Sequence, residues 1–467
     1  MTHLLRSAPW LVVLAALALR PATAEERAPF RVELDAALVA LRVEDADGDG
    51  LDDLITLDAQ RTLSVWRGQR DTGPATTPTW RHTLAADVAF VALEATATPP
   101  GYITIGAEGA RRHGWADPTP RPVAGASNLS WTSPAGALLT DLVVPGTGLL
   151  LPTPDGWRIE RPSQPAWDVA VNPARRVTPA GPFLEDRATL VTAWSTPFVG
   201  LAPADGAGPA LWWVEGRTLN ARPAEGDGAA WDLGPLPVGA TRTLRDLDAD
   251  GRPEVIERAG TNQESHYALA RPVVRDGKQV LDALGGFRLA GFQLDPEWVD
   301  VNGDGRLDVV ITTIPIHGSN ILRTITAGRV TAWHNAFLQR APGGASAFPA
   351  EPDGVVQSDV EVNIRFTYAG TIEVERALTL VADADGDGDG RLDLLCREGD
   401  ATLRWHRGTA EGVWAAEGVP VPIPPRGASP DVPAYAGDLD GDGRDEVVLV
   451  YRAPPGGREA VAIVKLR

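Results

Sequence analysis

Five nine-residue segments, 45–53, 246–254, 300–308, 385–393 and 438–446, share one acidic pattern, and each runs into a short apolar stretch. Each puts an oxygen-bearing side chain at positions 1, 3, 5 and 9 and a glycine at position 6. Four side-chain oxygens in one tight loop, a glycine for the sharp turn and a free carbonyl at position 7 make a cage for a hard cation, and calcium fits best. One such loop is an ordinary solvated turn, since Asp and Gly are common turn residues. Five in one register imply a metal.

The rival reading is the EF-hand, which needs a bidentate Glu at position 12 and a following helix. Position 12 is Thr56, Glu257, Ile311, Cys396 and Leu449, so four of the five loops lack that ligand. The residues after position 9 are short, β-branched runs such as Val309, Val310, Ile311 and Thr312, which read as strands. The loops therefore join strand to strand.

On these loops and their flanking strands the chain resembles the FG-GAP and VCBS repeat family, found in integrin alpha-chain propellers and in many secreted bacterial proteins. The resemblance implies a β-propeller with calcium in the loops between neighbouring strands of a blade. The implied ligands are Asp45, Asp47, Asp49 and Asp53; Asp246, Asp248, Asp250 and Glu254; Asp300, Asn302, Asp304 and Asp308; Asp385, Asp387, Asp389 and Asp393; and Asp438, Asp440, Asp442 and Glu446. Asn302 and the two glutamates at position 9 depart from the pattern and are expected to weaken or reshape their sites. Up to five Ca²⁺ ions are expected.

The loops start at 45, 246, 300, 385 and 438, and the intervals of 54, 85 and 53 between the last four set a repeat of a little over fifty residues. Three degenerate copies fit between 85 and 240, with strands near 90–93 and 102–105, 137–140 and 149–151, and 190–193 and 210–213, and no acids to bind calcium. Third strands follow at 63–66, 158–160, 218–220 and 403–405. The expected fold is all-β, a propeller of about eight four-stranded blades, with seven as the alternative. Segment 30–34 is expected to add an outer strand to the last blade near 460–464 and close the ring. The long interval between 300 and 385 is read as an insertion over 317–340, with a short helix near 319–328 and a strand through 330–333.

Residues 1–24 read as an export signal: Arg6, an apolar run over 9–19 and a small-residue cleavage site at Ala22, Thr23 and Ala24. Residues 25–467 then form the propeller, exported to the periplasm, medium or cell surface. Cys396 has no cysteine to pair with, so stability must come from packing and metal. The formal charge of −19 becomes −21 without Arg6 and Arg20, and five divalent ions would bring it to −11. Acid concentrated in metal loops argues against nucleic acid as a partner.

Acid–base or nucleophilic constellations are not visible: there is no Gly-x-Ser-x-Gly, no His-Glu-x-x-His and no phosphate-cradling loop. Spare acids such as Asp52 and Asp383 are expected to be solvated, and His317 and His334 to be incidental. Trp66, Trp157, Trp213, Trp333 and Trp405 are read as packing between blades rather than as sugar-stacking rings, with Trp115, Trp131 and Trp414 less constrained. The expectation is a monomeric, non-catalytic module that binds a protein or carbohydrate partner, the insertion being the candidate contact region. A lectin-like adhesin, or an enzyme using the channel, is the alternative.

Overall fold

The computed structural model describes residues 30–466 except 95–99, 107–108, 118, 124–137, 140–142, 145–147, 154–155, 162–163, 171–197, 202–207, 261–263, 316–326, 342–345, 367–371, 378–379, 411–412, 426, 428–431 and 453–458. Within them the chain forms eight antiparallel blades arranged as a β-propeller. The proposed leader and the helix expected near 319–328 lie almost wholly outside the described residues.

In the first blade the strands Leu38–Glu44, Asp53–Asp58, Thr62–Trp66 and Trp80–Thr83 pair in sequence order. The third, fourth, fifth and seventh sheets follow the same meander, the second and sixth add further strands to it, and the eighth takes its outer strand from Phe30–Glu33. The second strand of each loop-bearing blade starts at loop position 9, at Asp53, Glu254, Asp308, Asp393 or Glu446. Asp393–Arg397 is buried throughout, because blades pack against both of its faces. A strand covered on both sides can be apolar without alternation, which is why these runs are continuous.

The core is a set of wedges between blades rather than one centre. Leu395, Leu403 and Trp405 of the seventh blade pack against Val447, Leu449 and Val464 of the eighth. Leu54 and Trp66 of the first meet Val448, Val461 and Ile463 of the eighth. Trp212 and Trp231 stack at 5.3 Å and reach Val255 of the fifth. Closure occurs where the sequence placed it: Phe30–Glu33 pairs antiparallel with Ala460–Lys465, in the register Phe30 to Ile463 through Glu33 to Ala460. The ring is thus sealed by backbone hydrogen bonds between the two ends of the described chain, leaving no open sheet edge there.

Three expectations need correction. In the third repeat Leu138–Leu139 pairs in parallel with the second blade, and the third blade's first described strand is Val143–Val144. In the fourth blade Phe198–Leu201 pairs with Pro209–Glu215, and the strand expected at 190–193 lies outside the described residues. Part of the length between 300 and 385 forms the 13-residue strand Gly354–Phe366 and an extra strand, Ile372–Ala377, beyond the four-stranded plan. Trp333 is 37% exposed on Arg329–Phe337 and is no wedge residue, whereas Trp414 is buried and Trp115 packs between the first two blades. Trp66 and Trp405 are buried as expected, and so is Cys396 as a small hydrophobe, its thiol pushed up to about 12 by burial.

Candidate metal centres

In every loop the position-1 carboxylate turns back on its own backbone. Asp45 accepts hydrogen bonds from the N–H groups of Gly48 at 2.7 Å and Gly50 at 2.9 Å. The same acceptance from position 6 recurs at Asp246, Asp300, Asp385 and Asp438, at 2.7 to 2.9 Å. Both positions 4 and 6 adopt positive φ, for example 80° at Gly48 and 85° at Gly50. Sequence reasoning gave a reason for glycine only at position 6. Position 4 needs the same left-handed conformation, and in the second loop Ala249 takes it at φ 55°, a strained choice for a residue with a Cβ.

Position 9 is the buried wall of the cage. Asp53, Glu254, Asp308 and Asp393 are fully buried and Glu446 is 3% exposed. One oxygen of each accepts the N–H of position 2, from Ala46, Leu247, Val301, Gly386 or Leu439. In the loops that end in aspartate, the other oxygen takes a backbone N–H beyond the third strand, from Gly68, Gln339 or Gly408. Burial pushes the carboxyls of Asp53, Glu254 and Asp308 up to about 7 and that of Glu446 to about 8. Burying a carboxylate away from water disfavours its charged form, and the shift expresses that cost.

Position 3 faces the cage. Asp47, Asp248, Asp387 and Asp440 each have a buried Oδ1 with no hydrogen-bond partner. Side-chain oxygens of Asp45, Asp47 and Asp53 lie within 4.8 Å of one another, as do those of Asp246, Asp248 and Asp250, of Asp385, Asp387 and Asp389, and of Asp438, Asp440 and Glu446. The third loop differs: Asn302 Oδ1 accepts the Asp304 N–H at 3.0 Å and its Nδ2 donates to Asp304 Oδ2 at 3.2 Å, so the side chain is spent inside the loop.

The loops also touch one another. Leu307 donates its N–H to Leu247, Leu392 to Val301, Asp445 to Asp385 and Asp52 to Asp438, at 2.8 to 3.1 Å. Each position-8 N–H therefore reaches the start of the loop on the preceding blade, and the five loops form one arc over the fifth to eighth and first blades. Asp52 is not a spare solvated acid: its Oδ2 accepts the Asp438 N–H at 2.9 Å across the closure seam. Asp445 does the same for Asp385 at 2.7 Å. Asp383 is exposed. His334 is fully buried between the hydroxyls of Thr312 and Ser358, a structural role, and His317 lies outside the described residues.

No helix among the described residues is long and apolar enough to cross a membrane. Residues 385–449 match the family model described as FG-GAP-like repeat. No curated protein matches the chain. Among solved structures, BBS1N in complex with ARL6DN covers 93% of this chain and 95% of that chain at 10% identity and a TM-score of 0.35. The Cps50 (Swd1) beta-propeller domain of Myceliophteria thermophila covers 70% and 89% at 12% identity and a TM-score of 0.32. Scores this low carry no argument about role. The stretch 385–449 is an FG-GAP-like repeat, and the chain that carries it is an eight-bladed β-propeller, as the resemblance of the five loops implies.

Proposed function

We propose that the chain is an exported calcium-binding propeller that serves as a binding or scaffolding module for a protein or carbohydrate partner. The observation that carries the calcium reading is the buried, unpartnered Oδ1 of Asp47, Asp248, Asp387 and Asp440, each inside a cage of further oxygens. Buried polar atoms are nearly always satisfied, so the same orphan in four equivalent loops supports a ligand with positive charge. Positions 1, 3, 5 and 9 and the position-7 carbonyl would hold the ion, an all-oxygen donor set that suits Ca²⁺. The ion neutralises clustered acid and fixes each loop. Nothing in the reading requires it to do chemistry.

Calorimetric titration of chelator-treated protein tests this. Saturable Ca²⁺ binding in the range of about 10⁻⁴ to 10⁻³ M typical of extracellular modules is expected, with a rise in melting temperature. A melting temperature indifferent to both calcium and chelator refutes the metal reading. The partner reading rests on the repeat scaffold and on the extra hairpin length of the fifth and sixth blades, where Glu264–Arg275 pairs with Lys278–Ala290 and Gly354–Phe366 with Ile372–Ala377. Deleting 319–328, the insertion expected between the strands Asp308–Ile314 and Arg329–Phe337, and assaying capture of envelope or medium components tests whether the insertion makes the contact.

A further inference from the structure

The third strand of a blade runs antiparallel to the second, so one of its residues stands beside loop position 9. In the eighth blade that residue is Lys465, paired directly with Glu446. In the first, fifth and seventh blades the last pairs are Leu54 with Trp66, Val255 with Ala270 and Leu394 with His406. The next residues, abreast of Asp53, Glu254 and Asp393, are Arg67, Arg271 and Arg407. The sixth blade pairs Val309 with Phe337, so Leu338 stands beside Asp308. Four loops thus have a basic residue at one structural position and the third has an apolar one.

These cations engage the loop acids to different degrees. Lys465 is one of only two lysines in the chain. Its Nζ contacts Asp440, lies 3.3 Å from Glu446 and 3.6 Å from Asp442, and so touches positions 3, 5 and 9 together. Arg271 contacts Asp248 and places Nε 2.6 Å from Glu254, bridging positions 3 and 9. Arg67 contacts Asp47 and lies 3.3 Å from Asp49, without touching position 9. Arg407 reaches only Asp387, at 3.7 Å. The two loops that end in glutamate are the two whose cation reaches position 9, because the longer side chain leaves an oxygen that is not tied to backbone beyond the third strand.

We propose that the basic residue beside position 9 is an internal counter-ion that grades the five loops. The Lys465 ammonium and the Arg271 guanidinium fill the fifth and second loops in place of a metal. The fourth loop, where Asp387 keeps a buried unpartnered oxygen and Arg407 stands 3.7 Å off, takes the divalent ion most readily; the first is intermediate, and the third, with Asn302 tied to Asp304 and Arg306 also on Asp304, is weaker. The inference rests on the calcium reading and deepens it. A divalent ion entering the fifth or second loop must displace a cation or lie beside it, and like charges a few ångströms apart in a partly buried cage oppose binding. Asp440 is 1% exposed with Oδ1 unpartnered, so removing the ammonium leaves an acidic, desolvated cage for a metal.

The test counts Ca²⁺ ions bound to the full chain by calorimetry and native mass spectrometry, in the wild type and in Lys465→Met and Arg271→Met. The wild type should bind fewer than five ions at 1 mM free Ca²⁺, on the order of the weak extracellular range. Each variant should gain one ion, its new site binding about tenfold or more tighter than in the parent. Lys465→Arg keeps the charge and should leave the count unchanged. Should Lys465→Met fold poorly, Arg271→Met examines the same claim at a different blade. Five equivalent sites in the wild type, or no gained ion in either variant, overturns the grading while leaving calcium binding intact. No ion bound by the wild type or by any variant overturns the calcium reading itself.

Discussion

The acid-loop arc of the fifth to eighth and first blades and the plain arc of the second to fourth are built on the same strands but joined differently. Across the plain arc, apolar packing provides the described contacts between blades: Tyr102 of the second blade lies 5.2 Å from Trp80 of the first, Leu150 and Ile159 of the third pack with Leu211 of the fourth, and Trp212 and Trp231 of the fourth reach Val255 of the fifth. Across the loop arc similar wedges are present, and successive loops are also tied by backbone hydrogen bonds. The ring is therefore an apolar construction, and the loops are a second, polar fastening over four of its eight seams. Trp115 links the two systems by donating its indole N–H to the carbonyl of Ala46, at position 2 of the first loop, at 2.6 Å.

The largest effect should come from breaking a wedge. Trp405→Ala removes a side chain that is 1% exposed, and should cost about 3–5 kcal/mol in denaturant unfolding, with and without calcium. If calcium restores the loss, the wedge is not what holds that seam. Next in size is metal removal: at a free concentration near 100 times Kd, one bound ion adds about 2.7 kcal/mol, so chelation should lower the melting temperature. The loss should be confined to the loop arc, as slow amide exchange that persists in the second to fourth blades will show.

A smaller effect sharpens the contrast through pH. Burial pushes four position-9 acids of the metal-free protein, Asp53, Glu254, Asp308 and Glu446, up to about 7 or 8 and raises Asp393 in the same direction, so the folded state holds more protons than the unfolded state between about 4 and 7. Metal-free stability should fall as pH rises through that window, and calcium, which needs the ionised carboxylates, offsets the fall. The calcium-induced shift in melting temperature is therefore larger at pH 8 than at pH 6. A shift of equal size at both values contradicts the burial of these acids. Smallest of all, Asp304→Ala should delete one ion from the stoichiometry and change metal-free stability by less than about 1 kcal/mol, since Asp304 lies in an exposed loop bend.

Much of the fold was legible because its signals are local. A glycine that must take positive φ, an acid at the ninth position of the loop and a β-branched run after it are all read within a dozen residues. The closing strand was found because its two apolar segments lie just outside the first and last repeats. The third blade was misplaced at its first strand because, without a loop to mark the turn, several short apolar runs compete for the same role.

What the sequence determined by itself is the set of five acidic loops, the propeller and its closure. Tertiary structure alone decided which residues face each cage. The residue beside position 9 follows it at a separation that varies between blades, shortest for Arg67 beside Asp53 and Arg407 beside Asp393 and longest for Leu338 beside Asp308, because the hairpin between second and third strands varies in length. The bridge from Asp438 to Asp52 joins residues 386 positions apart. Ligand spacing is written in one short loop, where backbone geometry fixes it. Counter-ions and loop-to-loop contacts come from strand register and ring closure, which form only when distant segments pack, and so no local pattern could reveal them.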